Sequence, residues 1–522
     1  MKRNRLFLCA FALGMLGISP AFAQDQTVTM VTAKAVDSPM TLMVNQTSAG
    51  VTVDWGDGTP VAYPATAEDL CTITGTVKGT TIKLTGSRKL STLVCAGNEL
   101  TSITLTGAPN LRSLYCQDNK LTSLNVDACT ELTDLDCANN SLTRVILTVD
   151  KFPALQNVNI SGNRITTVTG SSGRFSITSA ELQHANIANN KFSTVLLTGN
   201  SNLDQLRCEG NPSLKSIDLT PAPEVSLVTC YNNSLTTLSA KSDSLPELRH
   251  LYCDNNKLTK LPLAYSSKLT ELSCANNQIS QIDFSVSKPN SIVCNNNKLA
   301  FNALPNAKYK PAKMIYAPQA MVDISSALQL KDNKYYYVVK CPSYSDRTKQ
   351  QYQLDLSEWF QDGNGNYTGI AFTAWKFDNE AGQYTEMSLA STSAKTNEYW
   401  IGSATSASLR GRMIFLQPQE SVRIQMTSTT YPDLVLTTNA FAVGEENATG
   451  IDKVVNEAGS ELQIIPGRGE LTLRANGQTR AAVFTIDGKQ VWNGSVQNGE
   501  KTIHLNRGIY VVNRSEERRV GK

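Results

Sequence analysis

The sequence predicts a mainly β chain: a solenoid of stacked coils with an N-terminal β cap, followed by an Ig-like β-sandwich and a small C-terminal β-sandwich. Three observations predict it. An asparagine recurs ten times between Asn98 and Asn297, with apolar residues at fixed offsets before it. Nearly the same eleven residues, "LYCQDNKLTSL" at 114–124 and "LYCDNNKLTKL" at 251–261, are written twice. The regions on either side consist of short runs of β-branched and aromatic residues between Gly-, Asp- and Asn-containing turns.

Residues 1–23 begin with Lys2, Arg3 and Arg5, continue as an apolar run from Leu6 to Ile18, and end in Ala21-Phe22-Ala23. This is the pattern of a secretory signal peptide cleaved after Ala23. Cys9 lies too early in the run to serve as a lipoprotein cysteine. No later run approaches the ~18 apolar residues that span a membrane, so the mature chain is expected to be exported without a helical anchor. Residues 24–89 read as short strands, a β cap over the first coil. Within it "VDWGDGT" at 53–59 resembles the PKD-like hairpin of polycystic-kidney-type β domains. Asp-Gly favours a tight turn, with Trp55 packed beneath it. Asp54 and Asp57 invite a Ca²⁺ reading, but a structural turn explains them.

Residues 90–305 carry the repeat, about ten turns. The aligned asparagines are Asn98, Asn119, Asn140, Asn163, Asn190, Asn211, Asn233, Asn256, Asn277 and Asn297, at steps of 21, 21, 23, 27, 21, 22, 23, 21 and 20 residues. Five residues before each lies an apolar residue. Eight before, nine of the ten are Leu or Val, with Pro289 the exception. The pattern L-x-x-L-x-C-x-x-N-x-L resembles the leucine-rich repeat at the short end of its period range. A period near 21 leaves no room for a full helix per turn. We expect a strand, a tight asparagine turn and an extended or 3₁₀ return. One coil cannot bury its own apolar face, whereas stacked coils bury a continuous core.

Three residues before the asparagines stand Cys95, Cys116, Cys137, Ile160, Ile187, Cys208, Cys230, Cys253, Cys274 and Cys294. A position that accepts isoleucine is an apolar core position, where free cysteine acts as a small hydrophobe. Disulfides between coils about 4.8 Å apart would satisfy distance, but parallel side chains seldom give the required dihedral, and the cysteines fall in odd blocks of three and five. A buried free-thiol ladder is expected, with no metal, since no histidine stands beside it. Whether Cys71, Cys129 or Cys341 pair is open.

Strand residues alternate sides, so the outward positions of successive strands form one concave surface. It carries Arg112, Tyr115, His184, Arg207, Tyr231, Arg249, His250 and Tyr252 among small residues such as Ser91, Thr92, Ala96, Thr133 and Ala138. Arg and Tyr are the residues that anchor interfaces. These eight are the candidate ligand-binding residues, centred on Tyr231 to Tyr252. A merely solvated face is the competing reading.

Residues 310–445 alternate in the manner of an Ig-like β-sandwich. "DGNGNY" at 362–367 places Asp362, Asn364 and Asn366 like a calcium loop, but Tyr367 stands where glycine is required, and a hairpin turn is expected. A linker at 446–459 leads to residues 460–513. "TGID" in that linker, then "GELTLRA", "VFTIDGKQV" and "GIYVV", resemble, in that order, a type IX secretion C-terminal sorting domain. The resemblance implies passage across the outer membrane by the type IX secretion machinery and removal of the domain during surface attachment. The strand that normally follows "GIYVV" is missing, so the domain reads as truncated. Residues 514–522, "RSEERRVGK", resemble one frame of a sequencing-library adapter and read as an artefact. Asp243-Ser244-Leu245 resembles the O-glycosylation signal of bacteria with this secretion system, a tripeptide that chance also produces.

The whole layout resembles the internalin-like leucine-rich-repeat surface proteins, which implies a secreted or outer-membrane-surface protein that binds a host or bacterial protein or glycan in adhesion. The alternative is a structural envelope or biofilm-matrix component without a defined ligand. The chain has 48 basic and 45 acidic residues; setting aside three basic residues in the leader, and four basic and two acidic in the tail, leaves 41 against 43. A basic excess that would draw nucleic acid is therefore absent. The sequence contains no H-E-x-x-H, G-x-S-x-G or Walker motif, and His184, His250 and His504 are its only histidines. No catalytic residue or cofactor is expected. A carboxylate-based glycoside hydrolase is the enzyme that would leave no motif.

Overall fold

Short strands recur at the period of the asparagines, each with its middle residue buried. The computed structural model describes residues 26–45, 50–64, 70–86, 90–105, 107–147, 152–168, 174–305, 309, 311–331, 335–343, 350–360, 369–389, 398–402, 409–444, 462–467, 470–475, 479–485, 490–496, 499–504 and 510–514. The leader, the loop at 362–367, the linker at 446–459 and the tail beyond 514 lie outside the described residues. Two compact units divide the chain, Met1–Leu258 with Pro262–Leu269, and Thr259–Leu261 with Thr270–Lys522. Among the described residues the helical segments are three single 3₁₀ turns, and no helix is long and apolar enough to cross a membrane.

The first unit opens with β1 (Gln26–Thr32), β2 (Pro39–Val44), β3 (Val51–Asp54), β4 (Pro60–Tyr63), β5 (Cys71–Thr76) and β6 (Thr81–Gly86). Alternate residues of β1, β2 and β6 are buried, the period-2 signature of a half-covered sheet. The β3–β4 hairpin is closed by Asp54, whose Oδ1 accepts from the amides of Gly56 and Gly58, and by Asp57, which accepts from Thr59. Both carboxylates thus serve the turn itself. The Trp55 indole is buried and donates to the Tyr63 hydroxyl at 3.0 Å. It lies where a Cβ on Gly75 would stand 2.0 Å from the ring, so glycine is required at that point of β5.

The coils begin at β7 (Thr92–Val94), which pairs antiparallel with β2 and in parallel with β9 (Ser113–Tyr115). Between them β8 (Leu100–Thr104) returns to pair with β1. From there β10 (Asp134–Asp136), β11 (Asn157–Asn159), β13 (His184–Asn186), β15 (Gln205–Arg207), β17 (Leu227–Thr229) and β19 (His250–Tyr252) stack in parallel and in register. The return segments are extended over the middle turns. There β12 (Arg174–Ser176), β14 (Thr194–Leu196), β16 (Ser216–Asp218) and β18 (Thr237–Ser239) form a second, four-stranded parallel sheet. That sheet starts at the 27-residue step. The same region buries Phe152, Phe175 and Phe192, and Ile160 and Ile187 replace cysteine. A longer coil encloses a wider core, and larger side chains fill it.

Each asparagine is a rung between coils. The Asn119 amide nitrogen donates to the carbonyls of Cys116 and Gln117 in its own turn and of Cys95 in the preceding one, while its Oδ1 accepts from the amides of Asn98 and Leu100. Asn163, Asn190, Asn211, Asn233 and Asn256 repeat the donation to their own and the preceding turn. The Gln117 carbonyl also accepts from the Gly97 amide of the coil before it, whereas the Cys95 and Cys116 carbonyls depend on the asparagines, and a buried carbonyl left unpaired would cost about 1–3 kcal/mol. Asn98 bonds instead to Thr41 of β2, which joins the first coil to the cap. The residue before every rung asparagine has a left-handed backbone, and it is always Gly, Asn or Asp: Gly97, Asp118, Asn139, Gly162, Asn189, Gly210, Asn232, Asn255, Asn276 and Asn296.

In the second unit β20 (Glu271–Ser273), β21 (Ser291–Val293) and β22 (Lys313–Ile315) are parallel and in register. The strand β22 lies beyond the point where the sequence pattern stops. Gln319 serves as its rung, accepting from the amides of Asn297 and Leu299 and donating to the Cys294 carbonyl. Met314 and Tyr316 then occupy the leucine and cysteine positions, five and three residues before it. The motif changed its residues but kept its spacing.

Eleven strands follow: β23 (Gln329–Lys331), β24 (Tyr335–Val338), β25 (Lys340–Pro342), β26 (Gln350–Asp355), β27 (Ile370–Asp378), β28 (Gln383–Glu386), β29 (Tyr399–Ile401), β30 (Arg412–Phe415), β31 (Gln419–Ser428), β32 (Val435–Thr437) and β33 (Phe441–Val443). They form one sheet ordered β23-β24-β33-β31-β27-β28, with β32 on β31, and another ordered β25-β26-β30-β29. The run "KYYYVVKC" breaks at Val339 and supplies a strand to each sheet. The last strands, β34 (Leu462–Gly467), β35 (Glu470–Ala475), β36 (Thr479–Thr485), β37 (Gln490–Val496), β38 (Gly499–His504) and β39 (Tyr510–Arg514), make two three-stranded sheets, β34-β35-β38 and β37-β36-β39. Leu471, Leu473, Ala481, Val483, Val496 and Ile503 form their common core, with Trp492 against it.

Candidate ligand-binding face

The coil strands fix which residues face outward. Their middle residues, among them Leu114, Leu135, Val158, Ala185, Leu206, Val228 and Leu251, are buried. The residues six and four places before each asparagine therefore point away from the core as two rows, with neighbours about 4.8 Å apart. Parallel register carries both rows straight across the sheet.

Tyr115, His184 and Arg207 are brought together here. They line one groove of about 300 Å³, with Asp134 and Asp136 of β10, Asn157 and Asn159 of β11, Asn186 of β13 and Gln205 of β15 between them. The other sequence-chosen residues lie apart from it. Arg112 precedes β9 and its guanidinium is held by Glu131 at 3.0–3.1 Å. On β19 the rings of His250 and Tyr252 lie parallel at 6.4 Å. Tyr231 follows β17 by two residues, and exposed Arg249 immediately precedes β19.

A hydrogen-bond network ties the groove across the strands. Asp134 Oδ1 accepts from Asn157 Nδ2 at 2.6 Å, and its Oδ2 accepts from the hydroxyls of Thr133 at 2.6 Å and Ser113 at 3.3 Å. Asp136 accepts from Asn159 Nδ2 at 2.9 Å and from the Ala138 amide at 3.0 Å. The carboxylate of Asp134 thereby turns the Asn157 carbonyl oxygen toward His184, whose Nδ1 lies 2.5 Å away. The His184 Nε2 is 3.7 Å from Asp204 Oδ2. Partial burial, and then the charges of Asp134 and Asp136, push the Tyr115 hydroxyl above its ordinary pKa, so it remains a neutral donor.

The sequence reading passed over Asp134, Asp136, Asn157, Asn159, Asn186 and Gln205. They occupy the same two outward registers as the residues it chose. The signal was present in the register, but Arg, Tyr and His were weighed and acids and amides were not. Among the described residues no group of three or more His, Cys, Asp or Glu could hold a metal ion.

The ladder cysteines line the core behind this face. Cys95, Cys116, Cys137, Cys208, Cys230, Cys253, Cys274 and Cys294 are all fully buried, and every cysteine among the described residues is a free thiol. Cys129 is also buried, whereas Cys71 and Cys341 are partly exposed. Burial pushes the thiols of Cys95 and Cys294 up to about 12, which removes the thiolate that oxidation and metal binding require.

Stacked coils, asparagine rungs and an exposed parallel sheet define a β-solenoid of the leucine-rich-repeat type. No protein family matches the sequence, and no curated protein is similar to it. Solved structures similar to it include the functional domain of InlJ from Listeria monocytogenes, which includes a cysteine ladder. That domain is 16% identical over 71% of this chain and 94% of its own, with a TM-score of 0.34. The internalin-like protein lmo2027 of the same organism is 13% identical over 69% and 77%, with a TM-score of 0.26. YopM from Yersinia enterocolitica is 19% identical over 45% and 62%, with a TM-score of 0.27. The class of the fold follows from the strands and rungs of this chain itself.

Proposed function

We infer that the protein is a non-enzymatic binding protein, exported to the outer-membrane surface or secreted, that holds a protein or glycan ligand on the concave sheet of its coils and acts in adhesion. The groove of Tyr115, the β10–β13 amides and carboxylates, and Arg207 carries this reading. Its side chains are ordered by one another before any ligand arrives, which lowers the ordering cost of binding. The internalin-like layout supports a surface role. In this reading residues 310–445 are an Ig-like spacer, and residues 460–513 are a sorting domain read by the type IX secretion machinery.

The test is binding of the purified chain to an array of host matrix proteins and glycans. Two variants run beside it: Tyr115→Ala with Arg207→Ala, and Tyr231→Ala with Arg249→Ala and Tyr252→Ala, each checked by circular dichroism. Saturable binding lost in either variant supports the concave face. Saturable binding equal in all three proteins moves the site off this sheet. Binding by none of them favours a structural envelope component instead.

A further inference from the structure

The geometry points to a neutral saccharide as the ligand of the groove between Tyr115 and Arg207. This rests on the concave-face reading and names its ligand class.

The acids of the groove are already engaged. Both oxygens of Asp134 and both of Asp136 accept hydrogen bonds from the protein. They orient neighbours and do not stand as bare charges awaiting a cation. Arg207 offsets one of the two charges further along, and the hydrogen bonds already made to both carboxylates leave neither bare for a cation or a basic peptide. What it presents is planar amides. Asn157 and Asn159 each direct one N–H to a carboxylate, and an amide nitrogen has two. The second of each remains for a ligand, the two amides standing two residues apart along β11, roughly 6.6 Å. A sugar ring offers hydroxyls that both donate and accept, on adjacent carbons, and such a row of fixed donors and acceptors meets them. The Tyr115 ring supplies the flat apolar surface for the C–H side of the ring.

Space and polarity agree. Short polar side chains, Asp134, Asp136, Asn157, Asn159 and Asn186, line the middle of the groove, and the longer Tyr115 and Arg207 stand on its outermost strands, β9 and β15. Its volume of about 300 Å³ is at the lower end for small-ligand sites. A protein partner would anchor through aromatic or aliphatic side chains in an apolar pocket. The apolar residues of these strands, Leu135, Val158 and Ala185, point into the core instead.

The experiment uses the full chain on a printed array of neutral and sialylated oligosaccharides, followed by titration calorimetry with the best neutral hit. Asn159→Ala, Asn186→Ala and Tyr115→Ala are compared with Tyr265→Ala, an exposed tyrosine outside the coil strands. The expected result is saturable binding to a neutral saccharide, weakened roughly tenfold or more by each groove variant and unchanged by Tyr265→Ala. Asn186→Ala is the safeguard against misfolding, because its side chain supports only the Ala188 amide. Any glycoprotein ligand is retested after periodate cleavage of its vicinal diols. Binding lost in the groove variants but surviving periodate overturns the saccharide and leaves the concave face standing. Binding unchanged by every variant overturns both. No saccharide bound at all overturns the inference.

Discussion

A left-handed backbone costs an L-residue with a Cβ roughly 1–2 kcal/mol, while glycine adopts it freely and asparagine tolerates it through local hydrogen bonds. The residue before each rung has a φ between 52° and 69° in all ten turns. Asn189, at φ 54°, separates this backbone effect from side-chain packing. Asn189→Ala should lower stability by about 1–2 kcal/mol, and Asn189→Gly should leave it near that of the parent. Urea denaturation of the three proteins measures it, and equal midpoints for Ala and Gly would contradict the backbone account. The rung asparagine itself was legible because it is one residue type at one period. Its left-handed neighbour was not, because glycine, asparagine and aspartate share the task and no single letter repeats. The groove was half legible for a related reason: Tyr115, His184 and Arg207 were read, while Asp134 and Asn159 in the same register were not.

At the scale of the element, the cysteine ladder is a hydrophobic seam with a titratable atom at most positions. The substitution by Ile160 and Ile187 made this readable in the sequence, and the wider coil at those turns supplies the reason for the exchange. Burial raises the thiols of Cys95, Cys116, Cys137, Cys208, Cys230 and Cys294 above the ordinary value of 9.0. The folded state therefore holds protons that the unfolded state releases, and stability present below pH 9 is lost as pH rises toward the folded values, about 12 for Cys95 and Cys294. Unfolding midpoints measured from pH 8 to 11 should fall steeply above 9, and Cys208→Val should reduce the slope. A flat profile, or rapid labelling of the ladder thiols by a disulfide reagent in the native protein at pH 8, would contradict the buried ladder. Cys71 and Cys341, partly exposed, should label ahead of the ladder thiols.

On the scale of the molecule, a stack of coils is finished at its ends. In the first unit Asn45 of the cap accepts from the amides of Ser91 and Thr92, both at 2.8 Å, and fastens the first coil. In the second unit the buried ring of Tyr431, from the turn between β31 and β32, lies between Phe301 and Tyr316 at 6.4 and 5.2 Å, and its hydroxyl donates to the Pro305 carbonyl. Tyr316 also reaches Asp433 at 3.3 Å. Tyr431→Ala should cost about 3–5 kcal/mol and expose the segment around Phe301 to limited proteolysis, whereas Tyr431→Phe, which keeps the ring, should lose far less. Equal protease resistance of Tyr431→Ala and the parent would remove the plug from the account. Neither fastening was legible, because both join residues distant in sequence and neither recurs.

The strand β2 pairs antiparallel with β7 on one side and with β5 on the other, which reverses chain direction where the parallel coils meet the cap. A further coil inserted between β2 and β7 would meet a strand running the wrong way and a Thr41 carbonyl already bound by Asn98. Between Asn119 and Asn233, by contrast, every rung asparagine donates to the same carbonyl of the turn before it, that of the residue three places before the preceding asparagine. A gene segment encoding one such turn could be duplicated there and find its hydrogen bonds waiting. Change in copy number is thus confined to the interior, and each added copy would lengthen the sheet while both termini stay as they are.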